Sequence, residues 1–503
     1  AQAILAQALD KPDCLQIVTE HIAVTVLQVA IGMLVLVVVL AMYAVQGAIV
    51  GLAESTLPQL LNRNQSSLAA SEVLAIVKLP AALKVIFAPL VDYLSHRAPG
   101  GYTSFLTAMQ GLTAAVMFRL VPLMYLVSSE GGETAAAKLR CPLFGAACAN
   151  SVSDLALDAF ALKQVPEDKQ HLPAVCQVIG VFCGKTAAKS GFFLLSGHGL
   201  ATLPGFVQTL GIATLLCSVA LAFNPTREGG DREDEDVPGP GDGVLGVIRE
   251  TWAFSTTRHN MPHWLAYQLA MPVIYFHSIV VLPSRYEQFG FTGEDYAAYD
   301  LPLAALIVVL LVWTSRMAQD GSRPLAFFMR AYVVQALLVL AMTLQYVSWS
   351  GHATTLFTVA YVLLSKLQDL LFFIFEVGEF AFYGRVAMLS PRLVATLVTL
   401  QASMFNFADF FHSWLAPALV DGLSLCASAE GRFACAFDAY PAVAVCSTAL
   451  GCAYIATQWR RIHAYQDVAD PRWYPQAPLT GHKLSVSLML VGVLAFTVQA
   501  VSR

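Results

Sequence analysis

Runs of about twenty apolar residues, each closed by a turn signal, recur near 23–50, 69–91, 103–127, 141–162, 172–196 and 200–222. A second set follows near 263–283, 297–315, 325–348, 353–383, 393–417 and 438–458. A hydrocarbon core about 30 Å thick is crossed by ~20 helical residues. Lipid offers an open backbone no partner, and barrel strands would alternate in polarity, so these continuous runs predict transmembrane helices. Between the two sets lies REGGDREDEDVPGPGDG (227–243), acidic and without apolar period, which predicts a disordered linker. The expected fold is therefore an all-α polytopic membrane protein. Its parts are a six-helix half (1–222), an acidic cytoplasmic linker (223–262), a second six-helix half (263–463) and an extension (464–503). Residues 484–501 are long enough to form a thirteenth span or, failing that, an interfacial helix.

Composition strengthens this picture. Of 503 residues 57% are hydrophobic and 13% charged, where soluble domains carry about 25% charged residues. The net charge of −5 lies largely in the linker and points to no partner beyond the lipid bilayer; nothing suggests nucleic acid. With the first residues placed in the cytoplasm, thirteen Lys and Arg fall in cytoplasmic loops and five on the opposite side, the bias that sets orientation. That side also holds the loop CASAEGRFAC, where Cys426 and Cys435 are either a disulfide or two free thiols, and the NQS sequon at Asn64, a glycosylation candidate. No cysteine pair has zinc-ligand or CxxC spacing, so neither metal nor cofactor is expected. The chain opens on Ala, not Met, so the start of the gene product is expected to be missing, and any targeting segment with it.

Charged residues inside apolar runs are costly, and they mark cavities, pairs or relays. The second span closes as LPAALKVIFAPLVDYLSHRAPGG (79–101), where Asp92 and Arg97 form either a latch that changes partners between states or an ordinary interfacial turn. In SDLALDAFAL (153–162), Asp154 and Asp158 share a helix face at i,i+4. Asp154 is assigned to the cavity and Asp158 to a latch with Arg97, the alternative being two structural charge pairs. Lys78, Lys84, Lys185 and Lys189 are candidate cavity cations, led by Lys84 and Lys185, unless they snorkel to the headgroups. In SKLQDLLFFIFEVGEFAFYGR (365–385), Asp369, Glu376 and Glu379 lie near one face. Glu376 is the choice for pairing a lysine in the empty site or carrying a proton, and Tyr383 for stacking a base or simply packing. GLAESTLPQLLNRN (51–64) reads as the exit of the first span, with Gly51 and Ser55 for close packing and Pro58 at the end of regular helix. Glu54 is the exception there: either it pairs with a cavity lysine or it marks a changed substrate.

Two six-helix halves, with the loop after the second span, resemble the major facilitator superfamily, whose halves rock about a central site. Within it, QGAIVGLAESTLPQLL (46–61), LPAALKVIFAPLVDYL (79–94), SDLALDAFAL (153–162), FGFTGEDYAAYDLPLAAL (289–306) and SRPLAFFMRAY (322–332) resemble the acetyl-coenzyme A transporter family. That family is related to bacterial muropeptide permeases. The chain departs from its pattern at Ser153, where glutamine is usual. It departs again in LSPRLVATLVTLQASMFNFADFF (389–411), which lacks an acid and several glycines that the family carries.

The resemblance implies import of acetyl-coenzyme A into the endoplasmic reticulum or another endomembrane lumen, in exchange for coenzyme A and without chemical conversion. Two other readings compete: a permease for another organic anion such as a sugar-peptide, and a transporter-derived subunit of a larger membrane assembly; a homodimer is also compatible. An enzyme is not expected, because no nucleotide-binding glycine loop, metal motif or nucleophile elbow occurs.

Overall fold

The computed structural model describes residues 35–63, 68–97, 101–129, 132–164, 171–223, 243–319, 324–349, 354–387, 389–390, 394–429, 432–465, 471–473, 475, 483–487 and 489. The long helices are α1 (Val35–Asn62), α2 (Ala69–Val91), α3 (Gly101–Ser129), α4 (Gly132–Gln164), α5 (Val175–Gly197) and α6 (Leu203–Ala222). After a shorter α7 (Gly243–Thr257) come α8 (Asn260–Gln288), α9 (Gly293–Gln319), α10 (Pro324–Val347), α11 (Thr355–Ala387), α12 (Val394–Leu423) and α13 (Tyr440–Tyr465). Strands β1 (Leu425–Ala429) and β2 (Arg432–Phe437) pair antiparallel between α12 and α13, with Cys426 opposite Cys435 and the two joined as a disulfide. Large apolar side chains such as Leu216, Val309, Leu337 and Leu450 are more than 60% exposed. Lipid solvates such a surface, as water would not.

In the first set α3 packs against α4 and α6; in the second α11 packs against α9, α10 and α12. Between the sets, α2 meets α12 and α5 meets α9.

Three departures from the expected elements matter. First, Pro58 does not end the first span. The helix continues to Asn62, because a wide π-turn over Leu52–Thr56 comes just before the proline; Leu57 N–H reaches back to Leu52 O. An α-helical proline clashes with the carbonyl four residues back, and the wider turn relieves this. Glu54 therefore sits inside the span, not at its exit. Second, residues 243–257 of the expected linker are helical, as α7, packed against α2 and α8. Third, the extension docks: Trp473 is fully buried, 5.9 Å from the Phe382 ring. Of residues 484–501, only 484–487 and 489 are among the described residues.

The α1–α5 crossing fixes the position of Glu54. Gly47 and Gly51 on α1 lie against Val181 and Lys185 of α5, and Gly180 and Gly184 on α5 against Tyr43 and Ala44 of α1, two stretches with glycines four apart, the spacing that lets helix backbones touch. A Cβ at Gly180 would lie 2.6 Å from Tyr43 Cβ, one at Gly51 2.8 Å from Lys185 Cα, and one at Gly184 would overlap the Ala44 carbonyl. Backbone cannot yield as a flexible side chain does, so Gly184→Ala is expected to destabilise the protein by about 1–3 kcal/mol. A lowered midpoint of thermal unfolding in detergent checks this; an unchanged midpoint counts against the close crossing. A second π-turn, Ala187–Gly191 on α5, lies beside the first, and Thr56 Oγ1 donates to Ala188 O at 2.8 Å.

Candidate functional site

Polar groups within the apolar helices converge on both sides of these wide turns. Glu54 Oε2 lies 3.2 Å from Lys185 Nζ and 4.0 Å from Lys78 Nζ. Lys78 Nζ donates to Asp409 Oδ1 at 2.6 Å, and Ser413 Oγ reaches the same oxygen at 3.2 Å. Glu376 on α11 is within electrostatic reach of Lys185 and Asp409. The cluster thus draws on α1, α2 and α5 from one set and on α11 and α12 from the other. Its geometry follows from local sequence: one π-turn carries Glu54, the other begins two residues after Lys185, and a 3-10 turn at Ala75–Lys78 ends on Lys78. Two lysines balance Glu54 and Asp409, as buried charges must be balanced in a low dielectric. Exposure separates the two cations: the Lys185 side chain is 40% accessible and that of Lys78 9%.

Lys84 is not a free cation either, since its ammonium pairs with Asp154. Asp158 accepts from Tyr43 OH at 2.6 Å and from Gln177 Nε2 at 3.2 Å. The two acids that share a face of α4 are thus held separately, one by a lysine of α2 and the other by neutral groups of α1 and α5. The side chains of Asp92 and Arg97 and all of Asn64 lie outside the described residues. Ser153, where the family pattern has glutamine, is fully buried and accepts from Gln110 Nε2 at 2.9 Å and Gln46 Nε2 at 3.4 Å. Amides from α1 and α3 therefore occupy this layer in place of one on α4.

A second charge cluster lies between α5, α9 and α11. Lys366 Nζ is 2.7 Å from Asp369 Oδ2 and 3.1 Å from Asp300 Oδ1, and Ser190 Oγ donates to Asp300. Lys189 Nζ lies over the Tyr296 ring at 5.2 Å, within range of a cation–π attraction. Asp369 thus pairs within its own helix, and the lysines at 185 and 189 serve different clusters. Glu379 is 2% exposed and accepts from Gln268 Nε2 and from Tyr383 OH, each at 3.1 Å. Tyr383 is buried, with its ring edge-on to Trp264 at 6.2 Å, so it packs in the second set of helices. A base has no open face of this ring to stack on.

Sequence reasoning missed Asp409, Asp300 and Lys366. Each is an intramembrane charge in its own apolar run, a signal equal to the one that exposed Glu376. It also missed a group of charges at the end of the bundle that carries the hairpin. There Arg63 reaches Glu294 at 2.7 Å and Glu287 at 3.5 Å, and Leu68 N–H donates to Asp421. Arg285 lies 3.1 Å from Asp438 and 3.6 Å from Asp421, while Tyr296 OH donates to Gln59 Oε1 at 2.9 Å. Polar bonds at this end thus tie α1 to α8 and α9, and the start of α2 to α12.

Residues 33–203 match the family described as acetyl-coenzyme A transporter 1, a segment that contains Glu54, Lys78, Lys84, Asp154 and Lys185. Among solved structures, the chain resembles a bacterial homolog of the human lysosomal transporter Spinster in an inward-facing, unoccupied conformation. Identity is 12%, the TM-score 0.50, and the match covers 93% of this chain and 97% of that one. It also resembles the inward-open xylose transporter XylE of E. coli at 11% identity and TM-score 0.51, over 85% of this chain and 96% of that one. At such identities these likenesses speak for the fold alone. Over residues 33–203 the chain is similar to the acetyl-coenzyme A transporter family, and its fold is that of major facilitator superfamily transporters.

Proposed function

We propose that the protein carries acetyl-coenzyme A across an endomembrane, that of the endoplasmic reticulum first, by alternating access and in exchange for coenzyme A. The observation that carries this reading is the self-neutralised cluster of Glu54, Lys78, Lys185 and Asp409, which joins the two sets of helices around the partly exposed side chain of Lys185. A polyanionic nucleotide ester needs cations in a wet interior. When the site is empty, carboxylates hold those cations; an arriving phosphate takes Lys185 from Glu54 and loosens the tie that runs through Lys78 to α12. Such a site favours exchange, because Lys185 can pair in turn with Glu54 and with either coenzyme A anion. Glu376 is the group placed to take a proton in the anion's presence.

The charge pairs at the hairpin end act as the closed gate of an inward-facing state, the state named for both structural neighbours. The disulfide hairpin at that end suits an oxidising lumen. Purified protein in liposomes is expected to take up labelled acetyl-coenzyme A, faster when coenzyme A is trapped inside. Stimulation by a proton gradient with no effect of trapped coenzyme A would replace exchange by proton coupling. No uptake of any coenzyme A ester by folded protein would remove the substrate assignment.

A further inference from the structure

A small cavity of about 50 Å³ adjoins the Glu54–Lys78 corner, between α1, α2, α3 and α4. Its wall is apolar, built from Ile49 and Ala53 on α1, Met117 and Leu120 on α3, and Leu143 and Ala147 on α4. One water-sized site takes ~10–15 Å³ by this measure, so the space admits a group of only a few non-hydrogen atoms. Its polar lining is Glu54, Lys78, Asn150 and Ser151. Asn150 is 7% exposed, and its Oδ1 is buried without a hydrogen-bond partner. Buried polar atoms in a native fold are nearly always satisfied, so an acceptor without a partner on a residue that lines a cavity points to a donor that arrives with a ligand.

The chemical profile is specific. A short apolar pocket accepts a small uncharged group, an unpartnered carbonyl beside it asks for an N–H donor, and the partly exposed Lys185, bonded to the Glu54 that lines the same pocket, offers a cation to an anionic body. We infer that this cavity is the subsite for the acyl end of the coenzyme A ester, an inference that rests on the function proposed above. The short acyl group lies against Leu143 and Ala147, the amide N–H nearest the thioester donates to Asn150 Oδ1, and the phosphates remain at Lys185. Unacylated coenzyme A leaves the apolar space unfilled, so the cavity distinguishes the ester from the free thiol.

The test measures competition against uptake of labelled acetyl-coenzyme A in liposomes, with unlabelled coenzyme A, acetyl- and butyryl-coenzyme A as competitors. A methylene more or less in an apolar pocket changes discrimination by about tenfold or more. Ala147→Leu, which fills the space, is expected to shift the acetyl-coenzyme A to coenzyme A ratio of inhibitory concentrations about tenfold against the acetyl ester. Leu143→Ala, which widens it, is expected to improve butyryl-coenzyme A by a similar factor, and it carries the test by itself if Ala147→Leu fails to elute as a single folded species. Wild-type ratios in the folded variants overturn the subsite and leave the proposed function standing. A wild type that takes up no coenzyme A ester overturns both.

Discussion

Lys185→Ala is expected to lower acetyl-coenzyme A uptake by at least ~30-fold while the protein still folds. Loss of one member of a hydrogen-bonded charge pair in a binding site costs about 2–5 kcal/mol, and each 1.4 kcal/mol is a factor of ten. Folding survives because the carboxylate left behind keeps a cation: Lys78 Nζ lies 4.0 Å from the same Glu54 oxygen. Lys185 is also the accessible member of the cluster, so its removal empties no tightly packed space. The measurement is initial uptake at equal reconstituted protein, with elution from a sizing column as the check on folding. Uptake within a factor of about two of wild type would show that the anion lands elsewhere. Lys138, exposed near one end of α4, is the control: its replacement by alanine leaves uptake unchanged.

The largest stability effect is expected at Arg285→Leu, about 3–5 kcal/mol, the cost of removing one partner from a buried ionic group. The Arg285 side chain has no solvent exposure. One terminal nitrogen donates to Gln288 Oε1 at 2.7 Å, and the other to Ser424 Oγ and Asp438 Oδ1, both at 3.1 Å. Asp438 also accepts from Tyr346 OH and from the Tyr440 amide, and Asp421 holds the start of α2. Leucine would leave both aspartates without this cation beneath the hairpin. A steep fall in the thermal midpoint of purified protein is the expected result. Partial recovery in Arg285→Leu with Asp438→Asn would assign the loss to uncompensated charge, and no recovery would assign it to packing.

The helices were legible because their apolar length is a strong, local signal. Their internal breaks were not. A π-turn before Pro58 leaves no pattern distinguishable from a helix end, and that one ambiguity decides whether Glu54 stands at the exit of the span or inside it. Pairing was the second obstacle. Lys78 and Asp409 are 331 residues apart, so no spacing rule joins them; both were visible as intramembrane charges, but only the fold makes them partners. Sequence ranked Lys84 equal with Lys185, and the structure separates them through Asp154. Tyr383 illustrates the limit of residue type: an aromatic suited to stack a base turns out to be fully occupied with Trp264, Gln268 and Glu379.

The central claim is that the Glu54–Lys78–Lys185–Asp409 cluster receives the anion. Equilibrium binding of labelled acetyl-coenzyme A to purified protein, wild type beside Lys185→Ala, tests it most directly. Saturable binding by wild type that unlabelled coenzyme A displaces, weakened at least ~30-fold in the variant, is the predicted result. Equal binding by the two proteins, or none by folded wild type, would contradict it.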